Sequence, residues 1–550
     1  MTGMMQNRRC KEMTMQNSRK PRSRSSGGVA LLNKLIQEAK PSFHTWHVPE
    51  PKLLFAERRE CEDPKTGITL FGPAQLDRAP RSAIRLGIVG TGDSIQMLRH
   101  WLDDASLPIH AGVSSAGKPY DSLLAPAFPG FGPDSPFHCE LTLDDRHVET
   151  LSASDVQGAI NDPRFPRRVA NMVKLVTERL NVLAEKDPQP DVVVCAMPKE
   201  VETACGPGAR ATQRQPTFLT KQQKAERRAK RRDQTRGQLR FDFPFGNESG
   251  ADDEYLRFHQ DFHNALKAGA MTSALPTQLV WDSTLRRSRG TQDPATVAWN
   301  FFTAVYYKSG NVPWELSFNA RGTCFVGITF YREGPDPNAP TRTCLAQAFS
   351  ETGEGIVLRG DPVTWDKERD LKPHLSQIAA HKLLSQVLDL YKKHFKVLPR
   401  RVVVHKTSRF WSDERQGLLD ALNKVPSHDF LALERRGIRF FRLGAEPPVR
   451  GTVVELARRN YLVFTRGYVP FLRAYPGLRV PNPIEVLEHF GDSASDRVCS
   501  EILALTKLNW NSSAFASADP ITIGFSREVA RIIKELPDGV VPQFKYKYYM

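Results

Sequence analysis

The chain has 550 residues, with 77 lysine and arginine side chains against 61 aspartates and glutamates and a formal net charge of +16. This length exceeds what one hydrophobic core usually serves, so it argues against a single domain and predicts two or three. The basic excess favours a polyanionic partner, nucleic acid before an anionic membrane surface, although a charge balance that only keeps the protein soluble stays open.

The eight cysteines are scattered and form no CxxC pair. No histidine stands at the spacing of a zinc site, so the sequence predicts neither a structural metal nor a disulfide framework. No apolar run is long enough to span a bilayer, and the basic N-terminus lacks the apolar segment of a secretory signal. We therefore expect a cytoplasmic protein with no membrane partner.

The first 83 residues contain two kinds of sequence. Residues 1–28 are basic and rich in serine and glycine, which predicts a disordered tail. Residues 29–83 begin with the helix-like piece ALLNKLIQEAK and continue with proline and glycine punctuation that predicts short strands and turns. We expect this second stretch to be a linker that packs on the C-terminal domain.

From Ile84 onward, buried strands alternate with amphipathic helices. IRLGIVG and DVVVCAMP predict strands, and DSIQMLRHWL and VANMVKLVTERLNVLAEK predict helices between them. This alternation predicts a parallel, Rossmann-like sheet in a domain over 84–313. A polar stretch at about 209–253, basic and then acidic, interrupts it. That stretch is either a solvated surface insertion or a contact with a nucleic-acid backbone.

A second α/β domain is predicted over 314–550. Its strands are TCFVGITFYRE, a paired strand around TCLAQAFSE, and RVVVHKTS, the last of which follows the long helix SQIAAHKLLSQVLDLYKKHF. This order is the one expected of an RNase H-like sheet, although it also occurs in other α/β folds.

Four polar residues are spaced so that they can form one site. His263 and Lys267 are four residues apart and share one face of a helix, while Gln278 and Lys308 come from later elements. A terminal phosphate carries more than one negative charge and several acceptor oxygens, so it requires ammonium groups and neutral donors in fixed places. The four residues together predict a phosphate pocket, although each alone is more commonly an ordinary surface or helix-face side chain.

The spacing of these four residues resembles that of the Argonaute MID domain. There, a tyrosine or histidine, a lysine one helical turn later, a glutamine and a lysine in the helix leading to the PIWI domain grip the 5′ phosphate of a guide strand. His263, Lys267, Gln278 and Lys308 fall on those positions in order. The family commonly has tyrosine where this chain has His263, so stacking on the first base is expected to differ in detail.

The resemblance extends over nearly the whole folded chain and is to short prokaryotic Argonautes. Too little sequence precedes Ile84 for the amino-terminal and PAZ domains of long members. The likeness implies an α/β protein with a Rossmann-like MID domain followed by an RNase H-like PIWI domain. The segments that resemble the family are EPKLLFAERRECEDPKTGITLFGP, IRLGIVGTGDSIQMLRHWL, YLVFTRGYVPFLRAYPGLRVPNPIEV, EILALTKLNWNSSAF and PITIGFSREVARIIKEL.

The positions that correspond to the catalytic aspartates of cleaving PIWI domains are degenerate. Such domains need clustered carboxylates to hold two metal ions. Thr329 stands in the opening strand and Thr407 after the next core strand, and Lys406 is expected to add positive charge nearby. A threonine hydroxyl binds Mg²⁺ weakly without neighbouring carboxylates, so we expect no enzymatic cleavage. The acidic residues that remain in the region are expected to be ordinary surface or salt-bridged groups: Glu333, Asp413, Glu414 and Glu528.

The resemblance also implies contacts outside the four-residue pocket. Lys507, Asn509, Asn511 and Arg527 lie in blocks that resemble guide-backbone contacts, and such basic and amide groups suit phosphate positioning without base selection. In prokaryotic members the terminal carboxylate reaches into the phosphate pocket and helps to bind a divalent cation. That role falls on Met550, with Mg²⁺ as the expected ion.

The resemblance implies a 5′-phosphorylated RNA guide and a single-stranded DNA target that is recognised by base pairing without being cut. Short Argonautes typically associate with an APAZ-domain effector that carries a sirtuin-like, TIR or nuclease domain, and they act in prokaryotic antiviral defence. Two alternatives stay open. One is a guide-directed endonuclease that uses unrecognised carboxylates, and the other is a basic nucleic-acid-binding protein that takes no guide.

Overall fold

The structure is a computed structural model in which residues Thr45–Met550 form one compact unit. The predicted tail, the piece ALLNKLIQEAK and the polar stretch from residue 210 onward lie outside the described residues. The structure describes residues 43–112, 121–209, 261–288, 291–317, 322–332, 341–349, 355–366, 372–435, 437–440, 447–477, 479–536 and 540–550.

Sixteen strands and twelve α-helices are found in the described ranges. The strands are β1 His44–His47, β2 Leu53–Leu54, β3 Glu60–Cys61, β4 Ala83–Gly90, β5 Glu140–Thr150, β6 Val192–Met197, β7 Thr277–Trp281, β8 Glu315–Leu316, β9 Thr323–Arg332, β10 Thr341–Phe349, β11 Gly355–Val363, β12 Arg401–Lys406, β13 Ser427–Arg435, β14 Thr452–Ala457, β15 Asn460–Val463 and β16 Ile484–Gly491. The helices are α1 Pro64–Phe71, α2 Gly92–Asp104, α3 Ala153–Ile160, α4 Phe165–Ala184, α5 Lys199–Cys205, α6 Phe262–Ala270, α7 Asp282–Leu285, α8 Pro294–Lys308, α9 Gln377–Phe395, α10 Ser412–Ala421, α11 Ser495–Leu505 and α12 Ile521–Ile533. None of these helices combines the length and the apolar character needed to cross a lipid bilayer.

The first sheet has four parallel strands in the order β5–β4–β6–β7. Strand β6 is buried along its whole length because helices cover both faces. Its even-numbered residues, such as Val194, pack in one core with α2 and α8, and its odd-numbered residues, such as Cys195, pack in another with α4. The predicted Rossmann-like alternation of strands and helices is confirmed.

The second sheet has nine strands in the order β1–β14–β15–β16–β13–β12–β9–β10–β11. Strands β9, β10 and β11 form an antiparallel meander, while β12 lies parallel to β9, and β13 lies parallel to β12. Helices α9 and α10 share a core with Val326 and Val404 on one face. On the other face α12 packs so close that a Cβ on Gly327 would lie 2.0 Å from the Thr522 carbonyl oxygen. The predicted RNase H-like sheet is confirmed.

The segment before β4 packs against the nine-stranded sheet. The Val48 amide donates to the Gly451 carbonyl oxygen at 2.9 Å, and β2 pairs with β8. Short strands and turns were expected after the piece ALLNKLIQEAK, but helix α1 is also present there. It begins at Pro64, and Asp63 accepts a hydrogen bond from the Thr66 amide at 2.8 Å. A capping aspartate followed by proline is a helix-start signal that the sequence reasoning overlooked.

Candidate phosphate-binding site

A cavity of about 410 Å³ lies between helix α6, which directly precedes β7 of the parallel sheet, and helix α12, which packs on the nine-stranded sheet. His263 projects into it from α6, Arg527 from α12, and Met550 from the last described segment. Polar side chains complete the wall: Asn509, Asn511, Ser517, Asp519 and Glu528. The cavity therefore joins residues that are more than two hundred positions apart in the sequence.

The start of helix α6 positions the first two predicted residues. The Asp261 side chain caps the helix by accepting a hydrogen bond from the Asn264 amide at 3.0 Å. This fixes His263 in the first turn, where its side chain is open to the cavity. Lys267 follows one turn later, and its side chain is only 1% exposed. The two residues share one face of the helix, as their spacing requires.

Lys267, Gln278 and Lys308 meet in the protein interior. The Lys267 ammonium donates to the Thr277 carbonyl oxygen at the start of β7. Lys308, which is fully buried at the end of α8, donates to Gln278 Oε1 at 2.5 Å. The two acceptors belong to adjacent residues of β7. The structure thus brings together three of the four residues predicted for the phosphate pocket, and the fourth, His263, lies one helical turn away.

The lysine pair is not neutralised by acidic groups. In the described part of the chain, the groups that influence the pKa values of the two lysines are each other and the Cys195 thiol, and no carboxylate is among them. Burial lowers the pKa of Lys267 to about 8. Burial and the neighbouring Lys267 also lower the pKa of Lys308 well below its ordinary value. Burying two adjacent cations is costly, and an anion placed against them would offset that cost.

His263 adds a neutral aromatic ring to the wall. Its imidazole opens onto the cavity, but protein atoms surround its other sides. This partial desolvation, followed by the charge of Lys267, lowers the His263 pKa. A neutral ring can donate one hydrogen bond and can stack against a planar group.

The last described residues pack into the same region. Tyr549 Oη donates to the Gln543 carbonyl oxygen at 2.7 Å, and Gln543 Nε2 donates to the Met271 carbonyl oxygen, just after α6, at 3.2 Å. Tyr546 contacts Phe525 of α12, with 3.8 Å between the ring centroids. Met550 is 2% exposed. This segment is therefore docked against both helices that border the cavity.

The side chains of the cavity do not make a divalent-cation site by themselves. Asp519 and Glu528 both line it, but each forms an ion pair with an arginine. Among the described residues, no group of three or more His, Cys, Asp or Glu side chains is placed to hold a metal ion. The Mg²⁺ assigned to Met550 therefore stays a prediction, and no step of the account depends on it.

The residues predicted for guide-backbone contact differ in accessibility. Asn511 is exposed and Arg527 is half-exposed, and both line the cavity, where Arg527 pairs with Asp519 at 3.0 Å. Lys507 lies elsewhere. Its buried ammonium forms a 2.7 Å ion pair with Glu50 and donates to the Glu62 carbonyl oxygen at 2.7 Å. The structure does not support a backbone-contact role for Lys507, because its charge is already compensated inside the protein.

Thr329 and Thr407 lie together at one edge of the nine-stranded sheet. The parallel register pairs His405 with Gly327 and Lys406 with Ile328, so the next residue, Thr407, follows beside Thr329. Thr329 is buried and Thr407 half-buried. The two positions expected to hold catalytic aspartates are therefore neighbours in space and carry hydroxyl groups.

Lys406 does not add charge to that edge as expected. Its side chain points to the opposite face, towards helix α10, where Nζ lies 2.5 Å from Glu414 Oε2 and 2.9 Å from the Arg409 carbonyl oxygen. The alternation of side chains along β12 places Lys406 and Thr407 on different faces. The expectation that Glu414 is salt-bridged agrees with this contact, whereas Glu333 lies outside the described residues.

A second cavity, of about 640 Å³, is rich in arginine and was not identified from the sequence. Arg435, Arg466 and Arg479 line it, and it shares Ala518 with the first cavity. Arg435 pairs with Asp519 at 2.6 Å. Among the described residues, Arg466 and Arg479 have no carboxylate partner, and both are exposed. We refer to this second cavity as the arginine cavity.

Comparison with known proteins agrees with the two-sheet architecture. No model of a known protein family matches the chain. A curated relative, an Argonaute from Aquifex aeolicus strain VF5, is 23% identical over 277 residues, which are 49% of this chain and 36% of the relative. The solved structure of Clostridium butyricum Argonaute bound to a guide DNA and a 19-mer target DNA matches with a TM-score of 0.56 and 14% identity, over 91% of this chain and 54% of that one. A crystal structure of A. aeolicus Argonaute matches over 92% of this chain and 55% of that chain with 15% identity and a TM-score of 0.49.

The fold is that of a protein with a MID domain and an RNase H-like PIWI domain. In sequence the chain is similar to an Argonaute over about half of its length. It spans about a third of the length of the curated relative within the match, and about half the length of the C. butyricum structure.

Proposed function

We propose that this protein binds a nucleic-acid guide by its 5′ phosphate and uses the guide to recognise a complementary strand without cutting it. The observation that supports this most is the buried pair of Lys267 and Lys308, which has no carboxylate partner in the described structure. A terminal phosphate supplies the missing negative charge and accepts several hydrogen bonds at once. Gln278 and His263 add neutral donors beside the lysines.

The arginine cavity supports a path for the rest of the strand. A guide anchored at the lysine pair continues as a chain of negatively charged phosphates, which favours cationic side chains along its path. The unpaired charges of Arg466 and Arg479 lie in a cavity that adjoins the first one at Ala518. Arginine side chains hold phosphates without reading bases, so sequence would be read by base pairing alone.

The absence of cleavage is proposed from the chemistry at the sheet edge. Two-metal hydrolysis requires carboxylates that bridge and hold the ions. Thr329 and Thr407 offer neutral hydroxyl groups there, and no metal-binding cluster is present among the described residues. The protein would then signal target recognition through a partner. Resemblance to short Argonautes suggests an APAZ-domain effector and a role in prokaryotic antiviral defence.

Whether the guide and the target are RNA or DNA is proposed from the resemblance to short Argonautes and not from individual residues. Short Argonautes imply an RNA guide and a single-stranded DNA target, whereas the C. butyricum structure contains a guide DNA and a target DNA. A lysine pair can bind the 5′ phosphate of an RNA strand and that of a DNA strand equally well. Sequencing the nucleic acids that copurify with the protein, and identifying the protein encoded beside it, would settle the guide and the effector together.

Binding measurements on lysine variants test the proposal. Lys267→Ala and Lys308→Ala should each weaken binding of a 5′-phosphorylated strand by at least about tenfold, while binding of the same strand with a 5′ hydroxyl changes little. Lys174→Ala is a matched control, because Lys174 is an exposed residue on α4. Equal losses for both strands would instead indicate a basic nucleic-acid-binding protein that takes no guide.

A further inference from the structure

The lysine pair has too few acceptors for two charged ammonium groups. An ammonium group has three N–H donors and no acceptor. Lys267 donates to the Thr277 carbonyl oxygen and Lys308 donates to Gln278 Oε1. Among the described residues, neither lysine nitrogen has a further hydrogen-bond acceptor, so two ammonium groups would leave four of their six N–H donors without a partner. A neutral amine removes one of these donors and also the charge that burial penalises.

We propose that the ligand-free pocket holds one of its two lysines as a neutral amine, and that binding of a dianionic 5′ phosphate converts it to ammonium by taking a proton from solvent. This inference rests on the proposed function and adds to it that guide loading is coupled to proton uptake. The balance is simple: one phosphate dianion, one neutral lysine and one proton give a bound phosphate between two ammonium groups. No covalent bond forms or breaks except the new N–H bond.

None of the described groups around the lysine pair is a better acceptor for the added proton than the lysines themselves. From β6, Cys195 faces the pair with a thiol whose pKa is raised to about 12 by burial, so it stays neutral. Beside the pair on α6, burial and the charge of Lys267 lower the pKa of His263, and the charge of the exposed Asp261 partly offsets this lowering. Across the cavity, Arg527 is compensated by Asp519, and Glu528 by Arg531. Burial lowers the pKa values of both lysines, in agreement with one neutral amine in the ligand-free pocket.

The position of Lys308 at a helix end favours its protonation when an anion binds. It occupies the last position of the fifteen-residue helix α8. The C-terminal end of a helix carries partial negative charge, which favours a cation there. Desolvation opposes that preference in the empty pocket, and a bound dianion would remove the opposition because it attracts both lysines.

Calorimetric titration measures the proton directly. Wild-type protein is titrated at about pH 8 with one strand bearing a 5′ phosphate and with the same strand bearing a 5′ hydroxyl, in Tris and in HEPES, whose ionisation enthalpies differ. A phosphate monoester has its second pKa near ~6 and is already dianionic at this pH, so it releases no proton. We expect the phosphorylated strand to take up between about half a proton and one proton more than the hydroxyl strand.

The outcomes separate the inference from the proposed function. Tighter binding of the phosphorylated strand with equal proton counts would overturn the inference alone, whereas equal affinities for the two strands would overturn both. Lys308→Met should abolish the extra proton, and His263→Phe should retain it. If Lys308→Met keeps the extra proton, or if His263→Phe loses it, the lysine pair is not the proton acceptor and the inference is wrong. The wild-type comparison remains decisive if either variant fails to fold.

A pH series gives an independent readout of the same coupling. The affinity advantage of the 5′ phosphate over the 5′ hydroxyl should fall as the pH rises above about 8, approaching a tenfold loss per pH unit for one coupled proton. A constant advantage across this range would contradict proton uptake.

Discussion

Lys308 at the end of α8 and Gln278 on β7 are joined by a hydrogen bond of 2.5 Å between Nζ and Oε1. The amide fixes the direction of the lysine without neutralising it, since its oxygen is only a dipole. The same amide keeps its two N–H donors for another partner. A buried amine held by a neutral group, beside a second buried lysine, is unfavourable for stability and suited to binding an anion.

Replacing Lys308 by methionine should therefore stabilise the ligand-free protein. Methionine fills a similar volume and removes the cost of burying a polar amine, so the free energy of unfolding should rise by about 1–3 kcal/mol. Urea unfolding followed by fluorescence measures the change. Lys174→Met on the exposed surface of α4 should stay within about 0.5 kcal/mol of wild type. A clear loss of stability in Lys308→Met would show that the lysine is a favourable structural contact.

The stabilisation by Lys308→Met should depend on pH in one direction. The pKa of Lys308 is lowered in the folded state relative to its ordinary value of 10.5, so the unfolded chain binds more protons between these two pKa values. Wild-type stability then rises with pH across that window, and the advantage of the methionine variant shrinks towards pH 10.5.

The ion pair of Glu50 with Lys507 and Arg450 should be important for folding and unimportant for choosing between strands. Both cations are buried, and Glu50 lies 2.7 Å from Lys507 and 2.8 Å from Arg450. Glu50→Gln leaves them uncompensated and should cost about 3–5 kcal/mol of unfolding free energy. The exposed pair of Lys52 and Glu60 provides the control, since Lys52→Gln should cost under about 1 kcal/mol. A small effect of Glu50→Gln on the unfolding free energy would instead favour a nucleic-acid contact for Lys507.

Arginines of the arginine cavity should contribute affinity without selectivity for the strand end. Arg466→Ala and Arg479→Ala should each weaken the binding of 5′-phosphorylated and 5′-hydroxyl strands by the same factor. Each should also reduce the slope of log affinity against log salt by about one. Fluorescence anisotropy over a salt series measures both quantities. An unchanged salt slope would mean that no phosphate lies in this cavity.

A loaded protein should not cut its target. Incubation with labelled complementary DNA and either Mg²⁺ or Mn²⁺ should give no specific product, because Thr329 and Thr407 supply hydroxyls where two ions need carboxylates. Guide-dependent cleavage that persists after separation from any partner would establish the endonuclease alternative and would require acidic groups outside the described residues.

The sequence was sufficient for the main strands and helices because those depend on local periodicity, whereas phosphate binding at the four polar residues stays a prediction. His263 and Lys267 share a helix face through their spacing alone, and β6 is recognisable as a continuous apolar run. The pairing of Lys507 with Glu50 was not predictable, since 457 positions separate them and a buried lysine looks like an exposed one in sequence. The arginine cavity was missed for a related reason. Its residues come from separate strands and loops, and arginine carries no motif of its own.

The most direct test of the account is the ratio of dissociation constants of the wild-type protein for one strand bearing either a 5′ hydroxyl or a 5′ phosphate. If the buried pair of Lys267 and Lys308 is a phosphate anchor, the phosphorylated strand should bind at least about tenfold more tightly at moderate salt. Equal dissociation constants for the two strands would contradict the claim that this pocket recognises the end of a guide.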